Sequence, residues 1–236
     1  MFGGKDKRMS KRLISRAVFS LIFLLLVLSG PAREAFAADR DGSVRFSWAL
    51  IYEDDQGIGK PIDYRSNVNR LQSGDKFKIY LKPHSACYIY LLLYDSQKDL
   101  FLVFPEDFEA FEGNTRLVRN YELPGVNSWF YLDSNSGTEL FYLIASSRRL
   151  DQLEQRVVEY LMNHSASRRD RQAESGKYAV LDEVKRLIKE TSYLSDTAEK
   201  PVAVAGDFRG IREEHELNGI RIEAAGIYVE TIRLQH

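Results

Sequence analysis

The chain has 236 residues, with 33 Lys/Arg against 34 Asp/Glu and a formal net charge of −1; that length suits one sizeable domain or two small ones. Its single cysteine, Cys87, excludes an internal disulfide and a cysteine-based zinc cluster. A charge balance with no basic excess excludes the electrostatic footprint of a nucleic-acid binder or of a protein that adheres to anionic lipid.

The first 37 residues read as a leader. Lys5, Lys7, Arg8, Lys11, Arg12 and Arg16 form a basic region, Ala17 to Leu28 is apolar apart from Ser20, and Gly30-Pro31 breaks the run. Ala35-Phe36-Ala37 then supplies the small residues of a cleavage site, which predicts a secretory signal peptide cut before Ala38. Twelve apolar residues fall short of the roughly 20 that a spanning helix needs, so no membrane span is expected after cleavage. Residues 1–37 hold seven basic and two acidic residues, so the mature chain keeps 26 basic and 32 acidic, a net charge of −6. The expected location is the periplasm or the exterior.

Beyond the leader, period-2 patterns dominate. Val44 to Tyr52 places Val44, Phe46, Trp48 and Leu50 on one face of a strand, and an irregular polar connection follows. Gln72-Ser73-Gly74-Asp75 signals a turn into Lys76–Lys82, with Phe77, Ile79 and Leu81 inward. The apolar stretch from Cys87 to Pro105 is split by Asp95-Ser96-Gln97-Lys98-Asp99, which predicts a hairpin of Cys87–Tyr94 with Leu100–Phe104. Both faces of the first arm are apolar, as expected of a central strand covered on both sides. Leu117–Leu123 reads as a weak strand, and Trp129–Leu132 with Glu139–Ala145 as a second hairpin-like pair.

The period then changes. Asp151–Asn163 carries Leu153, Val157, Tyr160 and Leu161 on a helical stripe, His164–Gly176 is polar loop, and Tyr178–Leu194 is a second helix with Leu181, Val184, Leu187 and Ile188 buried. Lys200-Pro201 ends it. Val202–Val204, Gly219–Ala224 and Gly226–Leu234 are late strands, the last returning to the first sheet. The fold class is mainly β (α+β): one antiparallel β-sandwich-like domain over 38–236, of about eight strands, with two helices inserted before the last strands.

No pattern specifies catalysis. His84 and Cys87 are offset by three, which puts them on opposite faces of a strand, and Cys87 opens a buried one. The four histidines lack metal-ligand spacing, Gly57-Ile58-Gly59-Lys60 lacks the full phosphate-loop pattern, and no cofactor signature is present. Two aromatic groups are candidates for interaction. Tyr88, Tyr90 and Tyr94 form a row that reads as core packing beneath the helices, or as a stacking platform for a glycan such as peptidoglycan. Phe108 and Phe111 lie on an acidic loop, as an exposed contact or as a lid folded on the core.

The order of these pieces is informative. LQSGDKFKIYLKP, CYIYLLLYDSQKDLFLVFP, YELPG and GTELFYLIAS, from Arg70 to Ser147, resemble the bacterial family of domain of unknown function 4384 (DUF4384). The matching positions are Gly74, Asp75, Tyr88, Tyr90, Leu91, Phe104, Pro105, Leu123, Pro124, Gly137, Glu139 and Ala145. Residues 150–236 look like an extension found in exported relatives. The resemblance implies a non-catalytic accessory unit, often attached to other modules, with no family catalytic residues to carry over. With no catalytic module recognisable in this chain, any enzyme it serves would be a separate polypeptide. The expectation is therefore a non-catalytic exported domain that binds a protein partner or ligand in the cell envelope. Two alternatives stand beside it: a structural envelope component that self-associates through an open sheet edge, and a hydrolase built from dispersed carboxylates. N-terminal sequencing of the protein accumulated by cells tests the leader: a chain beginning at Ala38 is expected, and an intact Met1 terminus would overturn that reading.

Overall fold

Alternating hydrophobicity sets the first strands, because successive side chains in a strand point to opposite faces. In β1 (Ser43–Glu53), Val44, Phe46, Trp48 and Leu50 are all buried, and in β3 (Lys76–Pro83) Phe77, Ile79 and Leu81 are too. The two strands pair antiparallel with Trp48 opposite Leu81 and Leu50 opposite Ile79, so the two apolar rows fall on the same face. The computed structural model describes residues 42–63, 65, 71–114, 119–165, 171–193, 197–203 and 218–236. The chain divides into Met1–Ala37 and Ala38–His236. The leader, the Ala37-Ala38 cut, the start of the strand at Leu117, and Leu194 and Val204 lie outside the described residues.

Two antiparallel sheets result. The larger runs β6 (Tyr121–Leu123), β3, β1, β10 (Asn218–Ala225), β9 (Ala198–Ala203), with β2 (Gly59–Pro61) on the end of β1 and β7 (Phe130–Tyr131) on β3. The smaller runs β11 (Ile227–Gln235), β8 (Thr138–Ser146), β4 (Tyr88–Tyr94), β5 (Leu100–Phe104). Their inner faces meet through aromatic rings. Phe77 of the larger sheet stands edge-on to Phe141 of the smaller at 5.7 Å, and Phe46 stands likewise to Tyr228 at 5.7 Å. This is a mainly-β sandwich.

A third layer covers the smaller sheet's other face. It comprises a 3₁₀ helix (Phe108–Asn114), α1 (Asp151–Ser165) and α2 (Arg171–Tyr193). Leu153, Val157 and Tyr160 of α1 and Val180, Leu181, Val184 and Leu187 of α2 are buried at helical spacing. Strand β4 therefore lies between β8 and β5 with protein on both faces, and Tyr88 through Leu92 are all buried. Burying eight or so large side chains of the β4–β5 hairpin contributes on the order of 10–20 kcal/mol gross, before conformational entropy is subtracted.

Several boundaries and pairings differ from expectation. Trp129–Leu132 and Glu139–Ala145 do not form a hairpin: β7 pairs with β3, and β8 with β4 and β11. The reason is register, which seats Phe130 opposite Phe77 in the larger sheet. The strand that returns to β1 is β10, whereas the last strand, β11, crosses to the smaller sheet beside β8. Helix α2 begins at Arg171, inside the expected polar loop, and Lys200-Pro201 sits within edge strand β9, where a proline's missing N–H is tolerated. The irregular connection holds β2, and Leu161 is exposed rather than buried.

A polar tie runs through the helix–sheet interface. The Tyr90 hydroxyl donates to Glu154 Oε1 at 2.7 Å and accepts from the Leu150 backbone N–H at 3.0 Å, and Arg149 pairs with Glu154. Burial, and then the hydrogen bond to Glu154, hold the Tyr90 hydroxyl well above the ordinary tyrosine value. Tyr90→Phe leaves both partners short of a bond in a buried place, so a loss of about 1–3 kcal/mol in urea unfolding is expected. An unchanged midpoint would show that the tie contributes nothing.

Candidate interaction surface

The tyrosine row is core. Tyr88 and Tyr90 are buried, and Tyr94, at the strand's end, is half-buried. The 3₁₀ helix folds back on the row. Phe111, with 0% of its surface exposed, stands edge-on to Tyr88 at 5.2 Å and to Tyr90 at 5.3 Å, while half-buried Phe108 lies 6.1 Å from Tyr90. The expectation of an exposed contact at Phe108 and Phe111 is thus corrected: the rings gain more by covering the tyrosines than by facing water. The segment is a lid.

The larger sheet's outer face offers a different set. Because Phe77 and Ile79 point inward, Lys76, Lys78 and Tyr80 of β3 point outward, and there the β6–β7 segment lies beside them. Lys78 Nζ donates to the Val126 carbonyl at 2.5 Å, lies 3.5 Å from Glu122 Oε2, and sits 4.9 Å from the Trp129 ring. The two charged side chains are only 4% and 8% exposed, so each depends on the other for compensation. Lys76 Nζ donates to Glu53 Oε1 at 2.9 Å and stands 5.9 Å from the Tyr131 ring. Glu53 holds the Lys76 ammonium above the ordinary lysine value, and burial, with Glu122 nearby, raises the Tyr80 hydroxyl.

The result is a short ladder of lysines and rings whose outer members meet solvent. Tyr131 is 64% exposed and Val126 52%. A ring held flat beside a cation presents an apolar face and a polar edge together, which suits stacking on a peptide or a sugar. Sequence reading passed over these residues because Lys76 and Lys78 look like an ordinary solvated strand face. The available signal was KFKIYLK followed by the alternating Trp129 and Tyr131.

The chemistry-bearing residues elsewhere are dispersed. A cavity of about 400 Å³ lies at the ends of β8 and α2, lined among others by Gly42, Ser146, Arg148, Arg186 and Gly226. Glu190 is the one acid among its described lining residues, and Arg186 holds it at 2.8 Å. Among its described lining residues the cavity has no carboxylate pair. His84 Nε2 lies 2.7 Å from Ser47 Oγ, while Cys87 is buried. Neither Ser47 nor His84 lines the cavity. Their contact, together with the bonds of the His84 and Ser85 amides to the Arg45 carbonyl, stitches the turn after β3 to β1. Among the described residues, no group of three or more His, Cys, Asp or Glu is placed to hold a metal ion.

Residues 70–149, about a third of the chain, match the family described as domain of unknown function (DUF4384). No curated protein and no solved structure matches the chain. The positions that carry the family pattern have structural work in this fold. Gly74 turns into β3 at φ 93°, a region that disfavours side chains, and Asp75 accepts the Gln72 N–H at 2.7 Å. A Cβ on Gly137 would come within 2.6 Å of Ser96 Cβ, so glycine lets β8 approach the β4–β5 turn. Buried Glu139 accepts the Ser96 N–H at 3.3 Å and lies 3.4 Å from His236. The prolines of both motifs, Pro105 and Pro124, follow cis peptide bonds.

The Lys78–Glu122 pair gives a stability test. Lys78→Ala strands a buried carboxylate and is expected to cost about 3–5 kcal/mol, whereas Lys78→Met with Glu122→Gln costs much less than the two single losses together. Denaturant unfolding of the double-mutant cycle reads this. Additive losses would show that the pair is not coupled.

Proposed function

We propose that this chain, which carries a DUF4384 domain over residues 70–149, is a non-catalytic accessory protein exported to the bacterial cell envelope. It binds a protein partner through the rim of its larger sheet that carries exposed Tyr131 and Val126. The observation that carries this reading is the pairing of two exposed apolar side chains, Tyr131 and Val126, with the Lys76–Lys78–Trp129 ladder. Exposed rings held by neighbouring groups serve binding at low cost in side-chain entropy, and such residues dominate interface energetics. Export is supported by the basic and apolar leader with its Ala-Phe-Ala site. The non-catalytic reading is supported by a cavity whose lining acid is already paired. A glycan stacked on Tyr131 is the second ligand class this geometry suits.

In-cell photo-crosslinking tests it, with a photoreactive residue at position 131 and, as control, at the exposed Tyr178 of α2. A discrete protein adduct formed from 131 and not from 178 is expected. With that partner purified, Tyr131→Ser is expected to weaken binding about tenfold or more. Identical adducts from both positions, or an affinity unmoved by the substitution, would overturn this surface assignment.

A further inference from the structure

Three arginines lie near the end of β8, and acids match two of them. Arg149 pairs with Glu154, and Arg186 of α2 is held by Glu183 at 2.7 Å and by Glu190 at 2.8 Å. Arg148 differs from both. It is exposed, it lines the cavity of about 400 Å³ at the ends of β8 and α2, and among the described residues its guanidinium meets no acid. Pockets that take small ligands span about 300–1,000 Å³, so this one is large enough.

The chain around Arg148 is fixed in place. The Ser147 N–H donates to the Gly226 carbonyl at 2.9 Å, and the Leu150 N–H donates to the Tyr90 hydroxyl at 3.0 Å. The segment is thus pinned on both sides of the arginine. Ser146, 1% exposed, accepts the Arg148 N–H at 3.2 Å and keeps its own hydroxyl proton to donate. Ser147 adds a second hydroxyl to the lining, and Leu150, Leu187 and Ile227 give the same cavity an apolar portion.

We propose that this cavity binds a small monocarboxylate with a short apolar body, its carboxylate on Arg148 and the two serine hydroxyls. A guanidinium fork meets a carboxylate through two parallel N–H donors, a geometry that fixes orientation as well as charge. The charge balance sets the valence of the ligand. The charged groups among the described lining residues are Arg148, Arg186 and Glu190, and the last two satisfy each other, so one positive charge awaits one negative. A doubly charged phosphate would lack a second cation and would face Glu190. The apolar portion then covers the body of the ligand, and holding Arg148 in advance lowers the ordering cost of binding. A free acid and the C-terminus of a peptide both present this chemistry.

A nuclear magnetic resonance titration of the protein, in the form that cells accumulate, tests the site with three probes. Isocaproate stands for the free acid, N-acetyl-leucine for a peptide C-terminus, and N-acetyl-leucinamide for the same body without the charge. At least one of the two carboxylates is expected to shift the amides of Ser146, Ser147, Arg148 and Gly226, with a dissociation constant on the order of millimolar for so small a ligand. The amide is expected to leave them unmoved. N-acetyl-leucine binding about tenfold tighter than isocaproate would assign the peptide source, and equal or tighter isocaproate the free acid. Arg148→Gln, at an exposed position that folding tolerates, is expected to weaken binding about tenfold or more with the thermal midpoint retained. Ser147→Ala is expected to weaken it by a smaller factor. The proposal is overturned if neither carboxylate gives localised shifts, if the amide binds as tightly as the acid, or if Arg148→Gln leaves the affinity unchanged. The described lining residues include neither Tyr131 nor Val126, so either result leaves the partner-binding reading to its own test.

Discussion

Strand β4 has two apolar faces, and the rest of the molecule is arranged to keep both from water. A sandwich partner satisfies one face: Ile89 and Leu91, with Phe141 and Leu143 alongside in β8, pack toward the larger sheet. The other face cannot be left open, because Tyr88, Tyr90 and Leu92 would expose a contiguous apolar patch. The 3₁₀ lid and α1 close it, and closure carries a polar requirement, since the Tyr90 hydroxyl must find partners once it is sealed. Glu154, Arg149 and the Leu150 amide meet that requirement, and they fix where α1 begins.

This constraint decides where function can sit. The family pattern coincides with the residues that build and seal β4, with Gly74 and Gly137 making the turns and close approaches around it. A pattern of that kind describes a scaffold. On such a scaffold the β6–β7 rim of the larger sheet stays open, with Tyr131 and Val126 exposed, whereas Ala49, Ile51 and Tyr80 at the centre of that sheet's outer face are buried. Tyr131 with its lysine neighbours occupies that rim.

Much of the fold was legible in the sequence because period-2 alternation survives in β1, β3 and β11, and because an apolar strand with two apolar faces admits one physical reading. The helices declared themselves through Leu153, Val157 and Tyr160 and through Leu181, Val184 and Leu187. Long-range pairing was not legible. Nothing local distinguishes β7 beside β8 from β7 beside β3, since the choice rests on Phe130 finding Phe77 more than fifty residues away. The lid was ambiguous for a related reason: Phe108 and Phe111 among acids look like an exposed loop until the tyrosines they cover are placed beneath them. The lysine–aromatic ladder was missed because its members lie on separate strands, and each looks ordinary by itself.

The central claim is that the tyrosine row is sealed core, with the lid and α1 as obligatory parts of the same cooperative unit. Native-state hydrogen exchange tests it most directly, by comparing the opening free energies of the β4 amides, the α1 amides and the 3₁₀ segment. The account expects β4, β8 and α1 to exchange together, near the free energy of global unfolding, with the lid closed on them. If α1 and the lid opened at far lower free energy while β4 and β8 stayed protected, the tyrosines would be a covered platform and not core, and the account would be wrong.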